Sequence, residues 1–229
     1  MKKHIKHTIR ETNNTLIKPI INADYFARLN VLNYARSEFR NEAQSLKPNN
    51  TESTDFTNIY NMSTAWDYVL KNINETITVS YICTINSIIS QNNSETIRGG
   101  IFRNSFAMAL GQLAPNPEKI SDLLNNAVFK MNSDKKQILT KAFDIHYDII
   151  TIQPFNDFNK RTARIIMNWF LLQNDYTPIL FTNKADKSEY PNALRERLNG
   201  NPKIYTNYMC DRMSQTQHRI LRILTQRIK

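Results

Sequence analysis

Gln153-Pro154-Phe155-Asn156-Asp157-Phe158-Asn159-Lys160-Arg161-Thr162-Ala163-Arg164 joins a turn to a helix that opens on cations. The first turn of a helix leaves backbone N–H groups unpaired and carries roughly half a positive charge, so acidic residues are favoured there and cations are not. Asn159 reads as the N-cap, yet Lys160 and Arg161 follow it. Arg164 lies three residues beyond Arg161, which on a helical period puts both guanidinium groups on one side of the same helix end. A bound anion resolves the conflict. Phosphate fits best, because helix N-termini bind it and arginine presents a planar fork of donors matched to its oxygens.

The flanks of this stretch read as helices. Upstream, Ser133 and Asp134 read as the start of a helix whose Ile138, Ala142, Ile145, Ile149 and Ile152 form an apolar stripe, which Pro154 stops. Asn116-Pro117-Glu118 supplies an N-cap, a proline at the first helical position and an early acid for the helix before it, with Ile120, Leu124, Ala127, Val128 and Met131 at helical spacing. Downstream, Ala163, Ile166, Trp169, Phe170 and Leu172 continue an apolar helix to about Gln173. After a connection at 175–182, helices are expected at about 187–198 and 203–226, divided by Asn199-Gly200-Asn201-Pro202.

Toward the N-terminus, helical spacing recurs from Ala23 to about Leu46, from about Ser63 to Ile73, and from Thr76 to Ser90, the last despite β-branched Ile77, Val79 and Ile82. The chain has only four glycines, and Gly99 and Gly100 stand together. After them Phe102, Phe106, Met108 and Leu110 fall on one parity before Gly111, which reads as a short β-hairpin that either covers the core or offers an edge to an extended peptide. The predicted fold is mainly α with one hairpin. Residues 1–22 read as a flexible segment, 23–75 as a helical extension and 76–229 as the principal domain.

In that order of elements the chain resembles the Fic (Fido) family, whose pattern is His-x-Phe-x-Asp/Glu-Gly-Asn-Gly/Lys-Arg-x-x-Arg. Phe155, Asp157, Asn159, Lys160, Arg161 and Arg164 match it, and Asn159-Lys160-Arg161-Thr162-Ala163 resembles the Doc-type variant. Phe102-Arg103 resembles the entry to the family's flap, His146 sits where members often carry a histidine, and Glu189-Tyr190-Pro191-Asn192-Ala193-Leu194 resembles the usual following segment. The resemblance runs over about residues 77–224. It implies ATP and Mg²⁺, with Asp157 holding the metal. Phe158, Asn159, Lys160 and the loop amides would grip the phosphates, Arg161 and Arg164 would neutralise the outer two, and Phe155 would anchor the loop. It also implies a target protein docking at the hairpin flap, about Ile101 to Leu113.

Two positions depart from the pattern. Gln153 stands where the family places the histidine that accepts the target hydroxyl's proton. An amide can orient a hydroxyl but has no useful basicity, and losing a general base costs roughly 10² to 10⁴ in rate. Phe158 replaces a small residue, and a Cβ there resists any positive φ the loop requires. His146, seven residues before Gln153, would lie about 10 Å away along a helix and reads as a core histidine. His4 and His7 belong to a basic surface segment, and His218 to the last helix.

Composition sets the remaining bounds. The chain has 229 residues, with 30 Lys plus Arg against 20 Asp plus Glu for a net charge of +10, which favours acidic partners. Cys83 and Cys210 match no metal or redox spacing and read as reduced core residues. No run approaches the ~18 apolar residues of a membrane span, and Met1 to Arg10 lacks the apolar centre of a secretory signal. Cytoplasmic residence is the expectation; an effector exported by a specialised system would read the same way.

Three functional readings follow. One is AMP transfer from ATP to a protein hydroxyl, or, with the nucleotide reversed, Doc-type transfer of the γ-phosphate. Another is a non-catalytic Fic-fold regulator that binds nucleotide or protein, which Gln153 and Phe158 favour. The third, nucleic-acid binding, rests on the charge and on Arg212, Arg219, Arg222, Arg227 and Lys229 of the last helix. Cations near a helix C-terminus are what its dipole favours, so a solvated basic face is the preferred account. The family's inhibitory Ser/Thr-x-x-x-Glu string is not matched, Ser37-Glu38-Phe39-Arg40-Asn41-Glu42 being a distorted echo. Restraint would then come from a separate inhibitor or antitoxin chain.

Overall fold

The computed structural model describes residues 8–17, 37, 52–92, 99–133, 135–181 and 186–225. Contacts divide the chain into two compact units, one formed by Ala43–Asn174 and the other by Met1–Glu42 with Asp175–Lys229. The helix expected at 23–46, with the distorted inhibitory string inside it, falls outside the described residues except for Ser37.

The first unit runs α1 (Glu52–Lys71), α2 (Val79–Ser90), a two-stranded hairpin, α3 (Ile120–Ser133), α4 (Ile138–Ile152) and α5 (Asn159–Gln173). Helix α1 starts well before the predicted residue 63. Its polar first half is held by tertiary bonds: the buried Asn61 donates from Nδ2 to the carbonyls of Ile89 (3.1 Å) and Gln91 (2.6 Å) at the end of α2. Helix α2 tolerates its β-branched residues because Ile82, Ile85 and Ile89 are fully buried, and burial outweighs a small propensity cost. Asn116 caps as predicted, its Oδ1 accepting from the Glu118 N–H at 3.1 Å ahead of a short 3₁₀ turn into α3.

Helix α4 begins later than the sequence suggests. Ser133 is the last residue of α3, donating its hydroxyl back to the Phe129 carbonyl at 2.6 Å, and Gln137 is the extended residue before α4; Asp134 lies outside the described residues. The expected stripe is confirmed, with Ala142, Ile145, Ile149 and Ile152 buried. Helix α5 is buried on nearly every side, from Thr162 through Leu171, which makes it the central helix of this unit. Its most extensive partner is α4, and the Trp169 ring meets Tyr81 of α2 edge-on at 5.0 Å.

The hairpin is shorter than its alternation suggested: β1 (Met108–Ala109) pairs antiparallel with β2 (Gln112–Leu113). Leu110 and Gly111 between them both have positive φ, 55° and 90°, as a two-residue turn matched to strand twist requires. The glycine pair upstream lets the chain lie directly on α2. A Cβ at residue 99 would fall 1.6 Å from Ser90 Oγ, and one at residue 100, whose φ is 76°, would fall 2.7 Å from the Cys83 carbonyl oxygen.

The second unit contains α6 (Asp186–Leu198) and α7 (Pro202–Thr225), close to prediction. Residues 8–17, which the sequence reading leaves flexible, are helical in this unit and end in a π-helical turn, Thr12–Ile17. Ile9 and Ile17 are buried, and Gln217 Nε2 of α7 donates to the Ile9 carbonyl at 3.2 Å, a pairing too remote in sequence for periodicity to reveal. Among the described residues no helix is long and apolar enough to cross a membrane.

Candidate active site

Helix α4 cannot continue into Pro154, so Gln153 turns the chain in the left-handed region (φ 49°, ψ 60°) while its N–H still reaches the Ile149 carbonyl at 3.1 Å. Its side chain is committed at both ends. Nε2 donates to the Ile150 carbonyl at 3.1 Å, and Oε1 accepts from Asn159 Nδ2 at 2.8 Å. Gln153 therefore braces the turn.

Asn159 departs from its expected role as N-cap. It is the first residue of α5, preceded by Phe158 as the cap in the left-handed region at φ 61° and ψ 13°. The Asn159 amide instead reads the backbone of Phe155, accepting from its N–H at 2.9 Å and donating to its carbonyl at 2.8 Å. Phe155 is buried with its ring 5.9 Å from that of Phe102, so the anchoring position is filled. The predicted difficulty at Phe158 is visible as its positive φ. Its N–H donates to Asp157 Oδ1, its carbonyl accepts from Thr162 Oγ1 at 3.0 Å, and its ring lies beneath the Arg161 guanidinium at 5.0 Å.

Those bonds leave an open space beside the loop. Gln153, Asn156, Asp157, Phe158, Asn159, Lys160, Arg161 and Arg164 line a cavity of about 370 Å³ at the start of α5. The first turn of α5 holds no acidic residue. Lys160 is exposed, Arg161 half-buried and Arg164 buried. Burial lowers the Arg161 pKa from the usual arginine range, and nearby Asp157 pulls it back up. Three cationic side chains thus converge, beside the Asp157 carboxylate, on a helix end already poor in electrons.

Asp157 is an exposed carboxylate at the cavity, and the described residues hold no cluster of three or more His, Cys, Asp or Glu able to cage a metal unaided. That set fits Mg²⁺, which keeps several waters and commonly takes one or two carboxylates together with substrate phosphates. His146 is fully buried in α4, as expected of a core histidine. Cys83 and Cys210 are free thiols; burial raises the pKa of Cys83.

Three supporting residues escaped the sequence reading. Asn58 of α1 accepts from Arg161 Nη1 at 2.7 Å across 103 residues, and nothing in the sequence signals it. Asn86 of α2 donates to the Asp157 carbonyl (3.0 Å) and to Thr162 Oγ1 (3.1 Å), and accepts from the Gly100 N–H at 2.9 Å. A lone amide beside the isoleucine stripe of α2 was its available sign. Arg103, noted only as part of the flap entry, is 2% exposed and donates to the carbonyls of Gln153, Ser105, Pro115 and Ile152.

A mainly helical unit with a hairpin beside the loop and a cationic start to its central helix has the Fic fold. The sequence match agrees: residues 76–171 match the Fic/DOC family. A protein adenylyltransferase Fic from Aedes aegypti is 28% identical over 164 residues, which is 69% of this chain and 32% of that protein. The chain thus spans about a third of the length of that curated relative. Among solved structures, a Fic domain containing signaling protein from Bacteroides thetaiotaomicron superposes with a TM-score of 0.75 at 18% identity, covering 97% of this chain and 96% of that one. IbpAFic2 covalently tethered to Cdc42 gives a TM-score of 0.52 at 16% identity, covering 68% and 53% respectively. At these identities the structural likenesses establish the fold.

Proposed function

We propose that this chain binds ATP with Mg²⁺ at the α4–α5 loop and transfers AMP to a Ser, Thr or Tyr hydroxyl of another protein, at a rate held down by Gln153. The observation that carries the reading is the acid-free, cationic first turn of α5 opening on a cavity that also holds the Asp157 carboxylate. The hydroxyl oxygen attacks the α-phosphorus, a new P–O bond forms, the bond to the β-bridging oxygen breaks, and pyrophosphate leaves. Arg161 and Arg164 offset charge on the departing phosphates, and the α5 N-terminus stabilises the oxygens nearest it. A divalent cation held by Asp157 would add Lewis-acid stabilisation of the phosphate oxygens. Gln153 offers no base, so the hydroxyl proton passes to water.

A protein target is supported by the Fic relative captured with Cdc42 and by the hairpin here, where Ile101, Phe106, Met108 and Leu113 are exposed. One observation favours the non-catalytic reading: both ends of the Gln153 amide are already engaged, by the Ile150 carbonyl of α4 and by Asn159. The test is incubation of the native chain with Mg²⁺ and ATP labelled at the α- or the γ-phosphate, in cell lysate. Protein labelling by α-labelled ATP alone supports AMP transfer. Labelling by γ-labelled ATP alone points to phosphotransfer, and binding without labelling points to a regulator.

A further inference from the structure

We infer that Asn58 of α1 is a positioning residue of this phosphate site, holding the Arg161 guanidinium in its anion-binding orientation. The inference rests on the nucleotide-binding reading above. Asn58 lies outside residues 76–171 that match the family, on a helix the site residues do not adjoin in sequence. Its Oδ1 accepts from Arg161 Nη1 at 2.7 Å, while the guanidinium carbon lies over the Phe158 ring, 5.0 Å from its centroid. The hydrogen bond and the ring contact together hold the group from two directions. A long side chain ordered before the ligand arrives loses less freedom on binding.

The sign of the effect follows from charge. An amide oxygen takes one of the five guanidinium donors and leaves the positive charge uncancelled. A carboxylate at the same distance would form a charge-assisted pair and compete with phosphate for the group. Burial at this position lowers the Arg161 pKa. A neutral acceptor that satisfies one donor offsets part of that desolvation without supplying a competing anion.

The test is Mg²⁺–ATP binding by titration calorimetry on the full chain, with the melting temperature of each nucleotide-free protein. Asn58→Ala should weaken binding about tenfold, and the isosteric Asn58→Asp should weaken it further, with melting temperatures within about 2 °C of native. Native-like or tighter binding by either variant overturns the inference, provided the native chain binds and Arg161→Ala does not. So does a loss of affinity that tracks a fall in melting temperature. If the native chain fails to bind, or Arg161→Ala binds equally well, the nucleotide reading itself fails and the inference goes with it.

Discussion

Asn159 Nδ2 lies 2.8 Å from Gln153 Oε1, so the first residue of α5 is tied side chain to side chain to the residue that ends α4. The same Gln153 amide caps the Ile150 carbonyl, and on the proposed function the two bonds put a brace where a general base would stand. That exchange of roles governs the first prediction.

Gln153→His supplies a group whose ordinary pKa lies near neutrality. If the rest of the site is competent, AMP transfer should rise by roughly 10² to 10⁴ over the native chain. Loss of the brace should lower stability by about 1–2 kcal/mol, seen as a lower urea midpoint. No gain in adduct formation by mass spectrometry, with ATP binding retained, would sink the proposal that only the base is missing.

Asp157 should govern the metal dependence of nucleotide binding. Asp157→Asn keeps an oxygen to accept from the Phe158 N–H and leaves the backbone bond from Asn86 in place, so the loop should hold its shape. In the native chain, chelation by EDTA should weaken ATP binding about tenfold or more, whereas the variant should bind weakly with or without EDTA. Equal EDTA sensitivity in both would remove Asp157 from the metal site.

Phe158 sets strain against contact. Its φ of 61° is unfavourable for a residue with a Cβ, while its ring supports Arg161 from 5.0 Å. Phe158→Ala should keep the strain and lose the ring; Phe158→Gly loses both. The glycine variant should therefore be the more stable of the two by about 1 kcal/mol, and both should bind ATP less tightly than native. An alanine variant as stable as the glycine variant would show that the left-handed turn carries no cost here.

The order of elements and the cavity lining were legible because they are local. Asn116-Pro117-Glu118 announces a helix start, and the residues that line the cavity all lie between Gln153 and Arg164. The bonds that hold the site were not legible. Asn58 and Asn86 reach it from two other helices, and a short amide in a helix carries no periodic signature of a partner distant in sequence. The Asn159 expectation failed for a related reason: the capping preference is local, but Phe155 offered its amide a matched donor and acceptor four residues back. Residues 8–17 read as flexible because their anchor, Gln217, is some two hundred residues away in sequence.

Arg103 should prove irreplaceable by lysine. Helix α4 ends with carbonyls that have no partner inside the helix, and Arg103 serves two of the last of them, Ile152 and Gln153, at 3.2 and 2.6 Å. Nη1 donates to the Ser105 carbonyl, and Nη2, which also serves Ile152, donates to that of Pro115, each at 2.7 Å and on either side of the hairpin. Its own N–H donates to the Pro154 carbonyl at 2.9 Å. Burial lowers its pKa, yet the surrounding carbonyl dipoles and the electron-rich end of α4 favour a cation there. A lysine ammonium is a single point of charge and cannot span four carbonyls in a plane. Arg103→Lys and Arg103→Ala should therefore each cost about 2–4 kcal/mol, measured by chemical denaturation. Hydrogen exchange should quicken at Ala114, whose N–H bonds the Ala107 carbonyl across the hairpin, before it quickens within α5. A lysine variant with native stability and native protection at Ala114 would show that the hairpin is held by something other than this guanidinium.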